Sequence, residues 1–272
     1  MRTAKTLPTP LIRKLVNWSV PVLLSFSLTL GTQSLLRAES PNTAPAELKA
    51  AITQLDTAAS QKAIDKVMKS YSPDFTNSDG LTYKNLAPAL KVFWDHYDQI
   101  KYTTTLESWQ KKGDRLIAQT VTNIQGTGKM KGRVIALNGK IRSLQQFKNN
   151  KIVHQDIQVE RIEITSGKNP PRIEVRLPDQ VKVNQQFDFD VILKDPLGDD
   201  LLAGIALDEK VEADRYLDPK SPELEILSAG GIFKRVTAPS TPQDHWLSAI
   251  LVQGDGLVLV TQRVQVISNP VK

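Results

Sequence analysis

Hydrophobic positions follow two rhythms along this chain, and the change near residue 100 divides it. Leu48, Ile52 and Leu55 recur at helical spacing, and Ile64, Val67, Met68 and Tyr71 repeat it after an offset. This predicts two helices or one broken helix, with Ser60 as a cap for the second part. Leu86, Leu90, Phe93, Trp94 and Tyr97 then stand at i, i+4, i+7, i+8 and i+11, a single apolar stripe on a further helix. Pro88 fits that helix if Asn85 caps it, because a first-turn residue has no intrahelical use for its N–H. Asn77-Ser78-Asp79-Gly80 is a tight acidic turn between the helical regions.

Beyond Ile100 the pattern is that of long strands: 101–110, 115–126, 133–147 and 151–164. Lys112-Gly113-Asp114, Asn138-Gly139 and Asn149-Asn150 supply turn chemistry between or within them. Helices followed by an antiparallel meander predict an α+β layer, in which the sheet dries the aromatic stripe with one face. Ser166-Gly167-Lys168-Asn169-Pro170-Pro171 is a cluster of breakers and the natural boundary. After it come seven predicted strands: 172–177, 185–193, 205–216, 223–227, 231–236, 245–253 and 257–267. Phe187, Phe189, Val191 and Leu193 alternate with Asp188, Asp190 and Ile192, and the spacing of the turns predicts an all-β sandwich.

The start of the chain changes the reading of its charge. The 272 residues carry 35 basic and 29 acidic side chains, a net +6. Arg2, Lys5, Arg13, Lys14 and Arg37 supply five of those bases before any acid appears, so the remainder is almost neutral and lacks the electrostatic footprint of a nucleic-acid binder. The apolar run from Leu15 to Leu30 follows the early bases, and Leu36-Arg37-Ala38 offers a cleavage site. The segment reads as a signal peptide, 1–38, removed after Ala38; kept in place, it would be a membrane anchor and the chain's only membrane contact. No second apolar run of spanning length follows, so the body is placed on the exported side, periplasmic or extracellular. The absence of cysteine excludes disulfides, thiol catalysis and zinc-thiolate sites.

Tyr71-Ser72-Pro73-Asp74-Phe75, then Asp79-Gly80, a helix ending near Trp94 and four long strands resemble the NTF2-like superfamily, the cone of SnoaL and ketosteroid isomerase, in its secreted bacterial branch. The resemblance covers 46–165. It implies N-terminal helices on a curved antiparallel sheet, and a fold that hosts isomerases, dehydratases, cyclases and plain binding domains alike. Leu177-Pro178 to Val183, followed by an alternating strand ending at Asp195-Pro196, resembles the opening of an immunoglobulin-like β-sandwich over 172–267, without the inter-sheet cysteines of antibody domains. The organisation is thus leader 1–38, linker 39–45, NTF2-like domain 46–165, linker 166–171, sandwich 172–267 and tail 268–272.

Enzymes on the cone use a carboxylate, or an Asp/His pair, with a hydrogen-bonding acid opposite. By that analogy the candidates are Asp74, Asp79, His96, His154 and Asp156, with Tyr71, Tyr97 or Tyr102 as donors. Asp74 and Asp79 read as turn formers, and His96 lies one position beyond the stripe. His154 and Asp156 share one face of a strand whose other face carries Val153, Ile157 and Val159, so the pair points away from the helices; the apolar parity changes at Ile162 and Ile164, and a bulge would reverse that inference. His154 and Asp156 are therefore the catalytic alternative, with no other catalytic residue assigned. If the cone holds a ligand, Tyr71, Phe75, Trp94 and Tyr102 are the residues expected around it. Three scattered histidines give no metal site, no cofactor motif is present, and the acids at Asp195, Asp199 and Asp200 and at Asp208, Glu209, Glu212 and Asp214 read as solvated loops and strand faces rather than a calcium site. The expected function is an exported, non-catalytic binding or assembly protein, with an apolar small molecule in the cone or a homodimer through its sheet. The alternatives are a small-molecule isomerase, hydratase or cyclase, and a cell-wall or polysaccharide-binding envelope protein.

Overall fold

A computed structural model describes residues 38–195, 197, 201–216, 223–227 and 230–269. The leader up to Arg37, the turns at Pro196 and Asp218-Pro219, the acids Asp199 and Asp200 and the end of the tail lie outside the described residues. The first helix, α1 (Ala46–Ser60), buries Leu48 and Ile52, and the short α2 (Ile64–Lys69) buries Val67. Lys62, in the left-handed region at φ 52°, breaks the chain between them. Ala63, and not Ser60, precedes α2; Ser60 closes α1, where its Oγ accepts the Tyr102 N–H at 2.9 Å.

The helical spacing that runs on to Tyr71 is not followed. Tyr71–Asn77 is a strand, β1, because Pro73 disfavours the α region for Ser72 and its missing N–H suits a sheet edge. The third helix, α3 (Tyr83–Trp94), begins three residues earlier than an Asn85 cap implies. Thr82 is the cap, its N–H donating to Asn85 Oδ1 at 2.6 Å, and Pro88 accordingly falls inside the helix and not in its first turn.

Four strands of 16 residues follow: β2 (Tyr97–Lys112), β3 (Arg115–Met130), β4 (Arg133–Lys148) and β5 (Lys151–Ser166). They form the antiparallel meander, with Asn138-Gly139 inside β4 rather than in a turn. The helices cover one face, where Leu48, Ile52, Val67, Leu86 and Trp94 share a core with Ala118, Ile124, Leu137, Phe147 and Ile152. The other face is polar: Asn123, Asn138 and Lys140 are exposed and Arg142 pairs with Glu107 at 2.7 Å. Register shifts in β2 and at two points of β5 bend the strands around the helices.

The second half contributes β6 (Ile173–Arg176), β7 (Gln180–Lys182), β8 (Gln186–Leu193), β9 (Leu202–Lys210), β10 (Glu225–Ile226), β11 (Gly231–Thr237), β12 (His245–Gln253) and β13 (Gly256–Ile267). The predicted strand over 205–216 is instead β9 and a separate 3-10 turn at Ala213–Tyr216, and β7 is an addition. Strands β11, β8 and β6 form a three-stranded sheet. Its Phe189, Val191 and Ile232 meet Leu202, Leu247, Leu251, Val258 and Val264 in a second apolar core.

The two halves share their main sheet. Strand β13 pairs with β5 from Leu257–Ser166 to Gln262–Arg161, giving one ten-stranded sheet in the order β10-β9-β12-β13-β5-β4-β3-β2, with β1 on β5 and β7 on β13. The breaker cluster is the turn that allows this. Gly167 sits at φ +92° against the Asp255 backbone, where a Cβ would come within 2.3 Å of the carbonyl oxygen, and the Lys168 N–H donates to Asp255 Oδ2 at 3.2 Å.

One edge of β5 therefore serves two strands: β1 runs parallel beside Ile152–Gln155, and β13 runs antiparallel beside Arg161–Ser166. At the gap between them the Arg263 guanidinium is fully buried. It donates to Asp79 at 2.9 and 2.7 Å, to Glu160 at 3.1 Å and to Asp244 at 3.0 Å. Tyr216 Oη donates to Asp79 at 2.6 Å and Trp246 Nε1 to Glu160 at 2.8 Å. Asp79 does lie in the predicted turn, but its carboxylate is the inner anchor of an ion-pair network rather than a solvated turn former. Removing one partner of such a network leaves the others charged and uncompensated. Arg263→Ala is expected to cost about 3–5 kcal/mol of unfolding free energy in urea. Asp79→Ala is expected to cost a similar amount, and the double variant less than the sum of the two.

Candidate functional site

The helix-covered face of the meander encloses a cavity of about 120 Å³. From α1 it is lined by Ile52, Leu55, Asp56 and Ala59, from α2 and α3 by Val67, Leu90 and Trp94, and from the strands by Tyr71, Tyr102, Thr104, Thr122, Ile124, Ile141, Gln145 and Gln155. A wider depression of about 950 Å³ borders α1 and α2, but it is open to solvent and its lining includes Glu47, Lys49, Lys66 and Lys69. The smaller cavity is the candidate site because it is the one that joins apolar walls to inward-facing polar groups.

Of the four aromatics expected around a ligand, Tyr71, Trp94 and Tyr102 line this cavity together. Phe75 stands behind them, fully buried and edge-on to Tyr71 with ring centroids 4.7 Å apart. Trp94 Nε1 donates to Tyr102 Oη at 2.9 Å, which fixes both rings. Burial pushes the Tyr71 phenol up to about 12 and raises Tyr102 further, with the neighbouring Tyr71 and Tyr97 adding to the effect on Tyr102.

The catalytic candidates are elsewhere. His154 lies on the outer side of β5, its Nδ1 3.1 Å from Thr76 Oγ1, in a polar groove shared with Asp74, Arg115, Gln146 and Lys148. Asp156 faces the cleft between the halves, alongside Asp79 and Asp244. His96 ends the turn after α3 and Asp74 is exposed on β1. Among the described residues, no group of three His, Cys, Asp or Glu side chains is placed to hold a metal ion.

The carboxylate that does border the cavity is Asp56, which is not among the candidates expected from the sequence. Its Oδ2 accepts the Thr104 N–H and its Oδ1 the Thr104 hydroxyl, each at 2.6 Å, and Thr104 Oγ1 lies 2.9 Å from Thr122 Oγ1. A signal for it exists. Asp56 stands at i+4 from Ile52 and three residues before Ala59, an acid set within the buried stripe of α1, where only a partnered carboxylate is tolerated.

Two groups in the wall have no partner. Tyr71 is 8% exposed and Gln145 5% exposed, and neither the Tyr71 hydroxyl nor the Gln145 amide makes a hydrogen bond among the described residues. Gln155 is partly used, its Nε2 donating to Ser143 Oγ at 3.2 Å.

A family model described as a domain of unknown function, DUF8623, matches residues 168–267. None of the curated proteins matches the chain in sequence. Solved structures with partial likeness include Bd1075 of Bdellovibrio bacteriovorus, at 19% identity over 41% of this chain and 38% of that one, with a TM-score of 0.31. That match spans well under half of the Bdellovibrio protein. An epoxide hydrolase of the LEH-like type from M. tuberculosis is 9% identical over 41% of this chain and 80% of its own, with a TM-score of 0.29. A Catenulispora acidiphila protein with a ketosteroid isomerase-like fold, solved with trimethylamine, is 14% identical over 39% and 82%, with a TM-score of 0.28.

The raised phenols set an alkaline limit. Tyr71 and Tyr97 ionise near 10 when unfolded and at about 12 when folded, so their contribution to stability is complete below pH 10 and is lost as pH rises from 10 through about 12. Thermal midpoints are expected to fall steeply across that window, and tyrosinate absorbance to grow in together with unfolding.

Proposed function

We propose that this chain is an exported, non-catalytic binding protein, in which an NTF2-like domain takes a small molecule into the cavity beneath α1 and α3. An immunoglobulin-like sandwich, joined to it through β5 and β13, presents the surface for further contacts. The observation that carries the reading is the cavity itself: aromatic and aliphatic walls around a few polar groups, with the one carboxylate in its wall already committed to Thr104 on both oxygens. The basic start, apolar run and Leu36-Arg37-Ala38 support export with cleavage after Ala38. On the outer face of the meander Asn123, Lys140 and the Arg142–Glu107 pair interrupt apolar side chains such as Val121 and Val134, which disfavours a continuous apolar dimer interface, and the working unit is taken to be a monomer.

A second reading, an isomerase, hydratase or cyclase, is favoured by one observation: Asp56 shares the cavity wall with the phenols of Tyr71 and Tyr102. It requires Asp56 to accept a proton from a substrate while it holds Thr104.

Native mass spectrometry of the mature protein purified from its own host separates these. The expected result is a monomer carrying a small added mass, absent from a folded Ala59→Val variant in which the cavity is partly filled. A bare chain mass in the parent protein would overturn the binding reading. Turnover of a small ketone, lactone or epoxide that disappears in Asp56→Asn would establish the enzymatic one.

A further inference from the structure

The unpartnered groups in the cavity wall specify a ligand more closely than its volume does. Tyr71 Oη has neither donor nor acceptor partner, and Tyr102 Oη, which accepts from Trp94 Nε1, has no acceptor for its own proton among the described residues. Two phenol O–H donors thus open onto one small space, with the Gln145 amide also free there. The Tyr71 hydroxyl and the Gln145 amide are not sealed from solvent, so a ligand that displaces water from them must supply a hydrogen-bonding partner in its place. The protein could shed the Tyr71 hydroxyl by becoming Phe without losing any contact with itself.

The rest of the wall narrows the choice. Among the described residues no lysine, arginine or histidine lines the cavity, and the Asp56 carboxylate disfavours an anion. Because both Asp56 oxygens already accept from Thr104, a cation would have to compete with two bonds of 2.6 Å. The cavity, at about 120 Å³, is somewhat smaller than the ~150 Å³ apolar cavities that admit one benzene. A five-membered ring or its acyclic equivalent is the size that fits.

Resting on the reading that this cavity is the binding site, we infer that its ligand is a neutral compound of single-ring size whose acceptor oxygen, a carbonyl or ether, is held by the hydroxyls of Tyr71 and Tyr102. The Gln145 amide, which can both donate and accept, meets a second polar group where the ligand has one. Affinity comes from the aliphatic walls and selectivity from the two donors, since a donor left unmatched by a hydrocarbon ligand stays unsatisfied.

Three probes of one size test this on the mature protein: cyclopentanone, methylenecyclopentane and cyclopentylamine, with dissociation constants from NMR titration. Cyclopentanone is expected to bind about three- to tenfold more tightly than methylenecyclopentane. Tyr71→Phe is expected to reduce that ratio towards one while leaving the hydrocarbon's affinity unchanged and the melting temperature equal or higher. Tyr102→Phe is the less clean variant, because it also strands Trp94 Nε1. Ala59→Val locates the binding: all three probes are expected to weaken when the cavity is narrowed. Equal affinity for the ketone and the hydrocarbon, both lost in Ala59→Val, would overturn the acceptor inference and leave the cavity reading standing. Tightest binding by the amine would overturn it in favour of a cation at Asp56. Failure of every probe to bind, or binding indifferent to Ala59→Val, would overturn the cavity reading and the inference with it.

Discussion

The buried guanidinium of Arg263 is the point on which both halves of this protein depend. It comes from β13 in the second half, and its bidentate partner Asp79 comes from the turn after β1 in the first, 184 residues away. Taking these charges out of water is expensive, and the attraction between them offsets the cost only when the remaining lone pairs and protons are also matched. The Tyr216 hydroxyl and the Trp246 indole N–H do that for Asp79 and Glu160. Burial raises the Tyr216 phenol well above its usual range, and the charges of Glu160 and Asp79 add to this, so it remains a donor. Burial alone would lower Arg263, yet its hydrogen bonds to Asp79 and the charges of Glu160 and Asp79 more than reverse this and hold the guanidinium charged. Asp244, nearer the surface, is raised chiefly by burial. Neither half can satisfy this cluster alone, so the pairing of β13 with β5 and the ion pair hold each other in register.

The opposite edge of the main sheet is closed by different means. Strand β2 would present a long row of free backbone groups, and such edges invite pairing with other chains. Here α1 and the residues on either side of it cover the row. Asp56 accepts the N–H of Thr104, Ser60 that of Tyr102, Lys62 Nζ donates to the carbonyl of Tyr97, and Glu39 exchanges two backbone bonds with Trp109. Of these, the Asp56–Thr104 contact also borders the cavity. Asp56 thus has a structural task that accounts for its place in an apolar stripe, and this is the physical reason for ranking binding above proton transfer at this site.

What was legible in the sequence follows from the range of the interactions involved. The aromatic stripe of α3, the four long strands and most strands of the second half depend on local periodicity and turns, and their positions could be read to within a few residues. Tyr71 was misread because its spacing from Val67 and Met68 is helical, while the determinant, Ser72-Pro73, acts on backbone conformation rather than on hydrophobic pattern. The parity of β5 could not be read because two bulges, near Ile152 and Ile157, each change which residues face the helices. Asp79 read as a turn residue and is one, but nothing local to it reports an arginine 184 positions away. Likewise, seven strands with sandwich spacing carry no mark of which one adds to the meander, since edge pairing is settled by the backbone and not by side-chain pattern.

The two polar clusters differ in a way that bears on function. At the junction, three carboxylates, a phenol, an indole and a guanidinium are brought together, and Arg263 Nε is the one fully sealed side-chain polar atom left without a partner among the described residues. Apart from that atom, the fold satisfies a difficult buried cluster across a large separation in sequence. In the cavity, close to the Trp94–Tyr102 pair, the Tyr71 hydroxyl and the Gln145 amide have no hydrogen-bond partner among the described residues and, unlike Arg263 Nε, are not sealed from solvent. Departures from local consistency concentrate where a structure serves something other than its own stability. By that measure the cavity wall is the part of the structure that the proposed binding function draws on.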